Sequence, residues 1–434
     1  MKNLFLFFTC ALLLIGTSCE DDSPTSNTTC NEALTPVLML HGFLAASDTY
    51  KNFQYWFENN DYCADWLYTM DRNTLDQTTD FTVALDSAVN QILLETGASK
   101  INLIGHSAGG GLAYAYLAVA EQASKVERYA HLASFVNDAA AGPNGEIPTL
   151  NVWSASDLIV EGANIEGAEN VMLSDADHYQ VATNEESFKA VYSFFNSGKT
   201  AIIPNTNSGD KVEVSGKALT LGENTPIANA SIQIYAVAEE SGLRVNNEAD
   251  LFIASDEYGV WGPVELNTNT YYEFLVINND NPDERLVHYY IEPLKYNTPL
   301  LYLRTIPPPG TLAGLLLSAL PSDDEQAVMA FFAASQAVVF DRDELTINGE
   351  SLATEAFTSL DQSTIALFLY DDGNGESQVT SHGGFFNTTP FLNAVDVYFE
   401  ANALSYSTIE FNNRKLNVPH WPSSSQGVSV AVFY

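Results

Sequence analysis

Gly105-His106-Ser107-Ala108-Gly109 sets a serine between two glycines, after the strand-like segment Ile101–Ile104 and before a stretch rich in small residues. A serine hydroxyl is a weak nucleophile until a neighbouring base takes its proton and a sharp turn exposes it. A strand entering such a turn and a helix leaving it is the required context. Gly105 and Gly109 let strand and helix approach closely, and Ser107 is then held at the tip in a strained backbone. Ser107 is the candidate nucleophile. Attack on a carbonyl puts negative charge on oxygen, and two backbone N–H groups can hold it. Ala108, next after the serine, offers one. Phe43, in His41-Gly42-Phe43 at the end of the apolar run Pro36–Leu40, offers the other. His41 reads as a structural turn residue rather than a base.

The strand–Gly-x-Ser-x-Gly–helix arrangement resembles the α/β-hydrolases, which implies the chain order serine, acid, histidine. Of the seven histidines, His106 adjoins the nucleophile and is expected to point elsewhere. His131 sits in an apolar run and reads as a core residue, and His288, His382 and His420 fall much later. His178, in Ser174-Asp175-Ala176-Asp177-His178-Tyr179, follows a strand and precedes a helix, so it is the candidate base. Asp157, just past Trp153-Ser154, is the candidate acid that would hold the imidazole in one tautomer. The rival acid is Asp138. Asp175 and Asp177 read as solvated loop charges.

These residues need a scaffold. Across residues 36–197, short apolar runs alternate with helical periodicity. The predicted strands are Pro36–Leu40, Trp66–Met70, Lys100–Gly105, Tyr129–Ala133, Leu150–Ser154 and Val171–Ser174. Helices are expected over Asp48–Asn60, Thr79–Thr96, Ala108–Ala123 and Glu185–Asn196. Continuous apolar strands alternating with helices imply an α/β fold, with a mostly parallel sheet covered on both faces. Between Ser107 and Asp157 only Asn137–Pro148 is spare, so a small or absent lid and an open site are expected, the alternative being a lid supplied from elsewhere, such as the β region.

After Pro204–Asp210 the pattern changes to period two with turn residues. Val212–Leu219, Ala230–Val237, Leu251–Ser255 and Tyr271–Ile277 read as strands. The segments Ser215-Gly216, Pro226–Ala230, Asp256–Val260 and Tyr272–Phe274 give this stretch a resemblance to transthyretin-like β modules. Ile306-Pro307-Pro308-Pro309-Gly310 is a stiff break. Beyond it, Ala337–Phe340, Ser363–Tyr370, Ala394–Phe399 and Val428–Phe433 read as strands, with Asn348-Gly349 and Asn412-Asn413 as hairpin turns. The expected units are a hydrolase over 35–200, a transthyretin-like β domain over 210–305 and a C-terminal β domain over 311–434. The two β stretches can also form one composite region. Asp371–Glu376 reads either as a tight hairpin turn or as a calcium ligand set, without the full twelve-residue loop pattern.

The chain has 434 residues, with 17 Lys+Arg against 55 Asp+Glu and a net charge of −38. Such an acidic surface repels phosphate backbones, which argues against nucleic acid as a partner. Residues 1–18 read as a signal peptide, and Leu4–Gly16 is too short to span a bilayer. Gly16-Thr17-Ser18-Cys19 resembles a lipoprotein cleavage site, so Cys19 is the expected lipidation residue and 19–34 its tether. The acidic run Glu20-Asp21-Asp22 resembles surface-export tags. A surface or secreted location follows, with the membrane met only through the lipid. If Cys19 carries lipid, Cys30 and Cys63 remain in the mature chain as a disulfide pair.

Pro36–Phe43, Ile101–Gly110, Val152–Val160 and Glu169–His178 together resemble small bacterial secreted lipases of the α/β-hydrolase superfamily. The whole layout resembles lipases that carry a C-terminal β domain. The resemblance implies a Ser107–Asp157–His178 triad, Phe43 and Ala108 as oxyanion donors, an ester or lipid substrate and no required cofactor. A polyester depolymerase and a non-enzymatic surface binding protein are the alternatives.

Overall fold

A computed structural model describes residues 30–76, 78–204, 209–281, 283–383, 386 and 389–434. The stretch read as a signal peptide, Cys19 and most of the expected tether lie outside the described residues.

Six strands form one sheet, all parallel: β1 (Val37–Leu40), β2 (Leu67–Met70), β3 (Ile101–His106), β4 (Val126–Leu132), β5 (Thr149–Ser154) and β6 (Glu169–Leu173). Their order across the sheet is β2-β1-β3-β4-β5-β6. Five helices cover it: α1 (Lys51–Glu58), α2 (Phe81–Thr96), α3 (Ala108–Leu117), α4 (Ala120–Ala123) and α5 (Glu185–Phe195). Alternation along β1 divides the core. Val37 and Met39 face Phe53, Phe57 and Phe188 of α1 and α5, while Leu38 and Leu40 face Leu85, Val89 and Leu117 of α2 and α3. Asp80 caps α2 by accepting from Thr82 N–H, and Gly97 ends it with φ 67°. The expected helix Ala108–Ala123 is broken after Leu117, and Val119 is extended. The Cys30–Cys63 disulfide is formed and ties the start of the described chain to the entry of β2.

The remaining strands are β7 (Lys211–Thr220), β8 (Ser231–Val237), β9 (Leu251–Ala254), β10 (Val260–Asn267), β11 (Tyr271–Ile277), β12 (Val287–Ile291), β13 (Leu303–Thr305), β14 (Val328–Ala333), β15 (Leu345–Ile347), β16 (Glu350–Ser351), β17 (Ala366–Tyr370), β18 (Leu392–Asp396), β19 (Asn402–Phe411), β20 (Arg414–His420) and β21 (Val428–Phe433). Eight of them make one continuous sheet, β18-β17-β14-β21-β12-β11-β8-β9. The C-terminal strand β21 lies between β12 and β14, parallel to both, so strands from either side of the proline break share this sheet. Two helices are interspersed, α6 (Leu312–Leu317) and α7 (Glu355–Thr358).

Three expectations are corrected. Ala337–Phe340 is not a strand; only Val338 makes a bridge, and the segment is used for docking. Asp371–Glu376 is not a hairpin turn, because the strands it leads between, β17 and β18, are parallel. Asp177 is not solvated: its side chain is 1% exposed in an ion pair with Arg342.

Candidate active site

At the end of fully buried β3 the chain turns through Ser107, whose backbone sits at φ 51°, ψ −121°. A non-glycine residue in this region carries strain of about 1–3 kcal/mol, which surrounding bonds must hold. Ser107 N–H donates to the Leu132 carbonyl at 2.9 Å. The Ser107 carbonyl accepts from Gly110 N–H at 2.9 Å and from the Ser134 hydroxyl at 2.7 Å. The flanking glycines are demanded by space. A Cβ on Gly109 would lie 2.3 Å from the Leu40 carbonyl oxygen, and one on Gly105 2.8 Å from the Gly109 carbonyl oxygen. The helix therefore starts in contact with the end of β1, and this brings His41-Gly42-Phe43 beside the serine. A Cβ on Gly42 would sit 3.1 Å from Ser107 Cβ. Neither Phe43 N–H nor Ala108 N–H is taken by an acceptor among the described residues.

His178 follows β6, and Asp157 follows β5. The structure brings them together: His178 Nδ1 is 2.7 Å from Asp157 Oδ2, with both side chains buried. Asp157 Oδ1 accepts from the N–H groups of Ile159 and Val160, which fixes the carboxylate plane. The other ring nitrogen, His178 Nε2, is buried and has no partner. Asp138, the rival acid, is exposed in the loop after β4.

His106 was expected to point elsewhere, and it does turn from the serine side chain, yet it serves this site. Its Nε2 lies 3.0 Å from the His178 carbonyl oxygen, and the two rings are 4.8 Å apart. A carbonyl only accepts, so His106 Nε2 carries the proton. Burial holds the His106 ring well below the usual imidazole range, so it remains a neutral strut. His41 is likewise structural. Its Nε2 accepts from Arg72 N–H at 3.1 Å, and burial lowers it to about 4. His131 is a core residue bonded to the Tyr129 hydroxyl at 2.7 Å.

The short Asn137–Pro148 loop leaves the hydrolase unit without a cap, as expected. The site is nevertheless not open, because the β region covers it. Phe391, just before β18, stacks on the His178 ring at 5.8 Å and 21°. The segment Asp177–Thr183 docks on Ala334–Ala337: Ala337 N–H donates to Asp177 Oδ2, the Tyr179 hydroxyl to Ala334 O and the Thr183 hydroxyl to Ser335 O. Arg342 closes this contact, 2.9 Å from Asp177. Burial pushes the Asp177 carboxyl above the usual carboxylate range, and Arg342 offsets only part of that push. Further along, Arg304 grips Asp48 through two bonds of 2.9 and 2.7 Å.

Two apolar cavities lie in the seam between hydrolase and β region. One is lined by Phe43, Leu44 and Leu75 of the hydrolase with Leu316, Leu317 and Leu392 of the β region. The other lies beside Phe391 and Tyr179, with Phe331, Phe332 and Phe368. They touch the Phe43 loop and the cover of His178. Nothing in the sequence pattern marks Phe391, which is far from His178 along the chain.

The parallel sheet and the turn at Ser107 have the architecture of the α/β-hydrolase fold. Residues 35–144 match the alpha/beta hydrolase fold model, 210–308 the lipase C-terminal domain, and 331–433 a further C-terminal-domain model. More particularly, these matches support a lipase-like α/β-hydrolase architecture followed by a C-terminal β region. Among solved structures it is similar to the Bacillus licheniformis lipase BlEst2 in propeptide form, at 13% identity over 55% of this chain and 70% of that one, TM-score 0.33. It is also similar to a bromoperoxidase from Bacillus anthracis, at 14% identity over 38% and 92%, TM-score 0.30. The disulfide and the lipase-like architecture are consistent with export. No helix among the described residues is long and apolar enough to cross a membrane.

Proposed function

We propose that the protein is a serine carboxylic-ester hydrolase, a lipase or esterase acting on esters of apolar acyl chains. Ser107 attacks the ester carbonyl while His178 Nε2 takes its proton. Asp157 keeps the Nδ1 proton in place and steadies the imidazolium that forms. The N–H groups of Phe43 and Ala108 receive the oxyanion. His178 then hands the proton to the departing alcohol and activates the water that releases the acyl group from Ser107.

The observation that carries this reading is the buried 2.7 Å His178–Asp157 contact with His178 Nε2 left without a partner, its ring 4.8 Å from that of His106, which leads directly into the strained Ser107 turn. The apolar seam favours an acyl chain over a bulky polymer, since Phe391 and α6 cover the approach. Signal cleavage and lipidation at Cys19 would place the enzyme on the cell surface. Ser107→Ala should abolish hydrolysis of p-nitrophenyl esters by at least ~10³-fold while leaving the thermal transition within a few degrees. Retained activity would end the reading.

A further inference from the structure

We infer that a calcium ion binds at the carboxyl ends of β17 and β18, held by Asp371, Asp372 and Asp396. One carboxylate oxygen from each of the three lies within 4.8 Å of the others. The register places Tyr370 opposite Asp396, so Asp371 leaves β17 where β18 delivers Asp396. Asp371 is 4% and Asp396 2% exposed. None of the ion pairs formed among the described residues involves any of the three. Two nearly buried carboxylates facing each other without a cation is an arrangement that ordinary folding avoids.

An independent observation points to a ligand. Asp396 Oδ2 is buried and accepts no hydrogen bond, while Oδ1 accepts from Asp372 N–H at 3.1 Å. The loop also aims Asp371, whose carboxylate accepts from the N–H groups of Gly373 and Gly375 at 2.8 and 3.0 Å. Each carboxylate oxygen has a second lone pair, so these bonds orient the ligands without using them up. An all-oxygen set with an exposed member suits a hard cation that retains water, and its loose spacing suits calcium better than magnesium.

The ion would reinforce two parallel strands joined at this end by the Val397 N–H to Tyr370 O and Asp372 N–H to Asp396 Oδ1 bonds. β18 is the strand entered through Phe391, so calcium would steady the cover of His178 from the far end of the strand. The site stands apart from the esterase reading, and its test does not depend on activity.

Equilibrium dialysis of the full chain against radioactive calcium in 0.15 M KCl should show one saturable ion per chain, with Kd of about 10⁻⁴ M or tighter. Asp396→Asn should abolish that site, and the exposed Asp372→Asn should weaken it about tenfold. Saturating calcium should raise the wild-type Tm by about 3–6 °C and the variants' by less than about 1 °C. Should Asp396→Asn fail to fold, Asp372→Asn alone decides. Absence of a saturable site below about 1 mM, or wild-type binding by Asp372→Asn, would overturn the proposal, leaving only diffuse attraction to an acidic surface.

Discussion

Replacing Arg342 with Met removes the cation that locks the His178 segment to the β region, a cation that also pairs with Asp343 at 2.8 Å. Arg342 lies 2.9 Å from Asp177, 3.2 Å from Gln180 Oε1 and 2.5 Å from the Ala337 carbonyl oxygen. Removing one member of a buried pair costs about 3–5 kcal/mol. Here Arg342 is 30% exposed, and Asp177 keeps the N–H donors of Tyr179, Gln180 and Ala337, so about 1–3 kcal/mol is expected. The cost should depend on pH in a definite direction. Burial already holds the Asp177 carboxyl above its unfolded value, and loss of the guanidinium pushes it higher. Below the variant's folded value the carboxyl is neutral and needs no cation. The gap between wild type and variant is therefore full at pH 8 and narrows as pH falls. Urea titration followed by both tryptophan fluorescence and residual esterase activity would measure it. In an Asp177→Asn background, Arg342→Met should cost at least ~1 kcal/mol less than in wild type. A cost below about 0.5 kcal/mol, or one independent of pH and of residue 177, would refute the reasoning.

The other predictions concern acid sensitivity and chain length. His41 and His131 are buried neutral with folded values lowered to about 4, below their unfolded values, so the stability they permit is present above pH 6.5 and lost as pH falls toward 4. At pH 5 each should cost about 2 kcal/mol relative to pH 7, read as a drop in the urea midpoint; an unchanged midpoint from pH 7 to 5 would contradict it. Leu316→Trp fills the cavity beside Phe43. It should lower kcat/KM for p-nitrophenyl palmitate by about tenfold and leave the acetate ester within about twofold; equal losses on both would place the acyl chain elsewhere.

Much of the hydrolase unit was legible because its signals are local. β1 is apolar throughout and β3 carries Ile101, Leu103 and Ile104, the Gly-x-Ser-x-Gly turn has a fixed steric demand, and Asp157 and His178 each stand just past a strand. Asn348-Gly349 and Asn412-Asn413 were readable for the same reason: both residues of each turn take positive φ. What escaped depends on contacts between distant segments. Asp177 looks like any loop carboxylate until Arg342 meets it. Ala337–Phe340 alternates like a strand, yet Ala337 N–H is spent on Asp177 and Val338 finds only Thr364. The fate of β21, inserted between strands from two stretches of chain, is set by a pairing that no local pattern encodes. The expectation of an open site gave way to its alternative, a cover from the β region, and no local pattern marked Phe391 as the residue that supplies it.

The central claim is that Ser107 is an activated nucleophile served by His178 and Asp157. The most direct measurement is intact and peptide mass spectrometry after brief treatment with a fluorophosphonate. One adduct per chain, on the peptide containing Ser107, absent in Ser107→Ala and at least ~100-fold slower in His178→Ala, is predicted. An unmodified Ser107 in a folded chain, or labelling at equal rate without His178, would contradict the account.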